Sequence, residues 1–201
     1  MVDWWVRVTG IPDGMPFTVH MLLHMSIVAG LTPLIAALVA GGRFDPVRRA
    51  PAGFAAVPAC LFEFAAVWGW HAPALHLAAR HQPWVFALEQ LTFFAVSLYF
   101  WLAVLGGDRE TRSARSGTGV LALVLTFAHM TMLGVLIAIA PRDLYGHGSG
   151  AIADQQAGGV LMIAISTVVY TFAAVRLSHT LLRQSRDLSA EARSAKVEGR
   201  V

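Results

Sequence analysis

Apolar residues in this chain come in long unbroken runs rather than in amphipathic stripes. Five runs reach the roughly 20 residues needed to cross a bilayer as a helix: about 17–40, 52–72, 84–106, 117–140 and 155–178. No connection between them exceeds about 15 residues, the size of an ordinary loop rather than of a folded domain. The pattern predicts an all-α fold, an integral membrane bundle of five transmembrane helices over residues 1–180, followed by a polar tail at 181–201. The first 16 residues lack an apolar core, so they do not read as a cleavable signal. Trp4 and Trp5 suit a position at the membrane interface. The tail carries both charge signs and reads as loosely ordered.

Composition agrees with the pattern. Of 201 residues, 56% are hydrophobic and 13% charged, about half the charge of a soluble domain, and mean hydropathy is +0.60. The single cysteine, Cys60, excludes an intramolecular disulfide and a CxxC pair. A net charge of +3 does not signal nucleic acid, because the basic residues sit in short loops beside apolar runs. Of the 15 Lys and Arg residues, only Arg7, Arg80 and Arg142 fall on one side of the threading. The others, including Arg43, Arg48, Arg49, Arg109, Arg112, Arg115 and the cations from Arg176 onward, fall on the opposite side. The positive-inside rule then predicts an outer N-terminus and a cytoplasmic C-terminus for a multi-pass membrane protein.

With that orientation, seven of the eight histidines lie toward the outer face, His179 being the exception. His24 falls roughly 10 Å and Glu89 roughly 8 Å below the outer end of their spans, at about 1.5 Å per residue. His129 is near the middle of the fourth span, Met132 one turn nearer the outside, and Glu63 near the middle of the second. His71 closes the second span and Asp154 opens the fifth. Ionisable groups in a bilayer normally face the bundle interior or a water-filled cavity, so these residues are expected to converge on one outward-facing pocket. His20 and His24 are spaced i, i+4 and share a helical face. Met21 and Met25 repeat the spacing beside them, and His129 with Met132 forms a similar cluster. Imidazole with thioether is a soft donor set that suits Cu(I).

Each residue also has a plainer reading. Methionine fills apolar gaps, and a membrane histidine often bonds a neighbouring helix. Asp154 reads as the N-cap of its own helix, and His76, His81 and His147 as ordinary loop residues. Gly158 and Gly159 suit close helix packing, and Pro33 suits a kink in the first span. Three other functional readings stand beside copper binding. Two membrane histidines such as His24 and His129 suit a b-type haem carrier. Glu63, Glu89 and His129 suit an ion or proton path, though the cytoplasmic halves of the spans hold few polar groups. An interaction subunit whose histidines merely join helices is the third.

Four stretches resemble the CtaG-type integral membrane family of cytochrome c oxidase assembly factors: HMLLHMSIVAGLTPLIA (20–36), WGWHAPALHLAARHQPWVFALEQLTFFAVSLYFWLAVL (68–105), AHMTMLGVLIAIAPRDLY (128–145) and DQQAGGVLM (154–162). They occur in order, over nearly all the membrane part. Gln90 follows Glu89 where the family often has histidine. The resemblance places His20, His24, His71, Glu89, His129, Asp154 and Gln155 at motif positions. It implies a non-enzymatic factor that helps a haem–copper oxidase acquire copper on the outer side of the membrane. Its implied partners are oxidase subunits or copper carrier proteins within the lipid, and a homo-oligomer is compatible with the same reading.

Overall fold

The computed structural model describes residues 4–9, 15–146 and 150–198, so His147 lies outside the described residues. Among the described residues there is no strand, and five segments are long and apolar enough to span a membrane: Phe17–Val39, Pro51–Trp70, Pro83–Leu105, Ala114–Ile139 and Ala151–Arg183. They agree with the runs read from the sequence. A short helix, α1 (Trp4–Thr9), precedes them.

The first span is not one regular helix. It comprises α2 (Phe17–Ser26), a π turn over Ile27–Leu31, and α3 (Thr32–Val39). Pro33 has no N–H and its ring crowds the carbonyl four residues earlier, so the irregularity expected there takes the form of a widened turn. Freed carbonyls in a membrane helix need other donors. Thr32 Oγ1 donates to Ile27 O and Val28 O, each at 3.0 Å. Trp101 Nε1, from the third span, donates to Val28 O at 2.9 Å. Below it, α4 (Pro46–Arg49) is capped by the buried Asp45. Asp45 accepts from Gly41 N and Gly107 N at 2.7 Å and from Val47 N at 2.9 Å, which joins two loops at one end of the bundle.

The second span contains α5 (Ala56–Trp70). A nine-residue helix, α6 (Pro73–His81), follows, with Pro in its first turn, and leads into α7 (Pro83–Leu105), which is the third span. The last two spans lie within α8 (Arg109–Ile139) and α9 (Ala151–Glu198). α7 packs on α3, α5, α6 and α8, while α9 packs on α8 and α2. Side chains such as Leu34, Leu38, Phe62, Leu91, Val168 and Phe172 point outward, as a lipid-facing surface requires. The interior is aromatic and sulfur-rich, with Phe17, Phe93, Phe100, Trp101, Tyr170, Met21 and Met130 fully buried.

Two glycines of α9 permit its close approach to both neighbours. A Cβ on Gly159 would lie 2.7 Å from Gly134 O and Ala138 N of α8. A Cβ on Gly158 would lie 2.5 Å from the Phe17 ring of α2. Asp154 is not the N-cap of its own helix, because α9 starts at Ala151 and Asp154 N already bonds Gly150 O. Its carboxylate instead accepts from Phe17 N, from Thr18 N and from Thr18 Oγ1. It therefore caps the free amides at the start of the first span, where a negative charge is favoured. The tail also differs from expectation. α9 continues without a break to Glu198, since good helix formers (Ala, Arg, Glu, Gln, Lys, Leu) make up ten of residues 184–198 and no Gly or Pro interrupts before Gly199.

Two outcomes follow from these contacts. Gly159→Val should destabilise the folded protein by roughly 1–3 kcal/mol through overpacking. Asp154→Ala should cost about 0.5–2 kcal/mol as a lost cap. Thermal unfolding in detergent checks both, and an unchanged midpoint in either variant would contradict the packing or the cap.

Candidate metal centre

The i, i+4 spacing in α2 brings His20 and His24 one above the other, ring centroids 5.6 Å apart and edge-on. Both are buried. α7 delivers Glu89, fully buried, with Oε1 3.2 Å from His20 Nε2. α6 delivers His76, whose ring centre is 4.6 Å from that of His20. One donor atom from each of His20, His76 and Glu89 lies within 4.8 Å of the others. His20 Nε2 and Glu89 Oε1 are near each other yet not aligned as a hydrogen bond, and neither has another partner. The second carboxylate oxygen accepts from Gln90 Nε2 at 3.2 Å. Two imidazoles and a carboxylate, with a buried nitrogen and oxygen left without hydrogen bonds, make a donor set fit for a transition-metal ion.

His71 continues the cluster from the end of α5, with its ring 5.2 Å from His24. A carbonyl only accepts, so the 2.7 Å contact of His71 Nδ1 with Val67 O makes Nδ1 the protonated nitrogen. In the neutral ring the lone pair then lies on Nε2.

Aromatic rings enclose the cluster. Phe17 and Tyr145 stack at 4.7 Å, and His76 lies 4.5 Å from Tyr145 and 5.3 Å from Phe17. Tyr145 OH donates to His71 O at 3.1 Å, and burial raises this phenol to about 12. Phe93 stacks on His24 at 4.9 Å and Phe86 stands 6.0 Å from His20. The connection after α8 is tied down by Gln155, whose Oε1 accepts from Leu144 N at 2.8 Å, and by Arg80, which donates to Gly146 O at 2.9 Å.

Not every residue expected in the pocket is there. His20, His24, His71 and Glu89 come together. Asp154 is engaged by the amides of the first span, so it orients α2 rather than joining the donor group. Met21 packs against Gly158 of α9, and Met25 is buried in the core. Met132, 51% exposed, lies on the outer surface of the bundle. His129 of α8 is buried, and its ring stands edge-on to Phe64 of α5 at 5.3 Å. Glu63 belongs to a separate cluster, where its Oε1 accepts from Ser97 Oγ at 2.8 Å and Tyr170 OH at 3.3 Å.

His76, whose place between two apolar runs suggests a loop residue, is instead buried on α6 within the centre. The sequence signal for it is the amphipathic segment PALHLAARH, in which His76 and Ala79, three apart, form the buried side.

No curated protein and no solved structure matches the chain. A family profile described as cytochrome c oxidase caa3 assembly factor matches residues 10–184. That match takes in all five spans and every residue of the histidine cluster, and the chain belongs to the Caa3_CtaG family of cytochrome c oxidase caa3 assembly factors.

Proposed function

We propose that this protein holds copper at His20, His76 and Glu89 for delivery to a haem–copper oxidase, acting as an assembly factor rather than an enzyme. The observation that carries the reading is the meeting of these three buried side chains, from three separate helices, with donor atoms within 4.8 Å of one another. A haem–copper oxidase as client needs copper, which favours copper among the ions that imidazole and carboxylate accept. Met132, on the bundle surface, stands apart from this donor set. Glu89 supplies one negative charge, which offsets the cost of a buried cation.

The positive-inside bias supports a centre at the outer side of a bacterial cytoplasmic membrane, with oxidase subunits or copper carriers as its proposed partners. Three ligands leave coordination positions open, and an open position permits exchange with an incoming donor. A cage closed on all sides would retain the ion.

The test pairs copper content with oxidase assembly. Cells relying on His20→Ala or Glu89→Gln are expected to lose most assembled caa3-type oxidase, and the purified variants to hold less copper per chain than the parent. Full oxidase assembly together with parental copper content in both variants would contradict the proposal.

A further inference from the structure

We infer a second metal site, formed by His24 and His71, that takes a single monovalent soft cation, Cu(I). It rests on the copper reading of the first centre. His24 is 1% exposed and neither of its ring nitrogens has a hydrogen-bond partner. An imidazole buried without partners in a membrane bundle is costly, and an ion bound there would satisfy it. His71 is already arranged as a ligand. Its Nδ1–H is donated to Val67 O, and its Nε2 is buried and without a partner. A ligating histidine typically donates its other N–H to a carbonyl or carboxylate in this way. With ring centres 5.2 Å apart, one nitrogen of each ring can reach an ion at the usual distance of about 2 Å.

The charge balance selects the ion. Glu89 Oε1 belongs to the His20 group and its Oε2 is bonded to Gln90. Glu63, on the helix that ends at His71, is eight residues deeper, roughly 12 Å along the axis, and is bonded to Ser97 and Tyr170. Phe93 flanks both rings, 4.9 Å from His24 and 6.3 Å from His71. Two neutral imidazoles in this dry setting leave the whole charge of the ion uncompensated. A single positive charge is far less costly to bury than two, which favours Cu(I) over Zn(II). The first centre, with its carboxylate, tolerates either. His20 and His24, one turn apart with their rings edge-on at 5.6 Å, link the two sites, so an ion can pass from one to the other by exchange of ligands.

The test is metal content of the full-length protein in detergent, loaded with Cu(I) under anaerobic reducing conditions or with Zn(II) alone. The expected result is two Cu(I) and one Zn(II) per chain. His71→Phe, and independently His24→Phe on a different helix, should bind one Cu(I) while keeping the Zn(II). His20→Ala, which leaves the first centre one imidazole and the carboxylate, should lose the Zn(II) and keep one Cu(I). One Cu(I) per chain in the parent, unchanged in both phenylalanine variants, would overturn the second site and leave the first. Two Zn(II) per chain would overturn the selection for a monovalent ion. No copper in the parent would remove both sites.

Discussion

A bilayer offers no water to a buried polar atom, so every such atom must find a partner inside the protein or be held without one at a cost of several kcal/mol. The bundle meets this demand carefully at its framework positions. Asp45 gathers three amides, Gln155 secures the turn after α8, Trp101 answers the carbonyl released by the π turn, and Ser97 and Tyr170 answer Glu63. Buried atoms without hydrogen bonds also occur singly elsewhere, among them Glu63 Oε2 and both nitrogens of His129, but at the outer end they cluster. His20 Nε2, both nitrogens of His24, His71 Nε2 and Glu89 Oε1 are buried together without hydrogen bonds. Groups that lack partners individually but face one another across a few ångströms are intelligible as ligands.

The rest of the structure brings these groups together. α2 carries two of the histidines, and its position is fixed from three directions. The Asp154 carboxylate caps its first turn, Gly158 admits the Phe17 ring, and Trp101 anchors the π turn beyond His24. α9 is in turn set against α8 by Gly134 and Gly159. The centre thus rests on contacts among all five spans, although its ligands come from only a few helices. Such second-layer support is what keeps a metal site in a definite geometry.

The spans were legible because a membrane helix is written locally, as a continuous apolar run. The pairing of His20 with His24 was equally legible, since i, i+4 geometry follows from the helix itself. What depended on which helix faces which was not. Asp154 looked like a cap and is one, but for a helix 136 residues earlier in the chain. Met132 shares a span with His129, yet it faces outward while His129 meets Phe64. His76 stands in a polar connection whose role depends on α6 folding back over the cluster, information absent from its neighbours in sequence. The placement of the methionines depends on the same information: Met132 lies on the bundle surface, whereas Met21 and Met25 are buried.

The central claim is that His20, His76 and Glu89 grip one copper ion. Anomalous scattering at the copper edge, from a crystal grown with copper, tests it most directly. The account predicts a peak among those three side chains. Copper bound at Met132 and His129 instead, or no peak within the histidine cluster of a copper-loaded crystal, would contradict it.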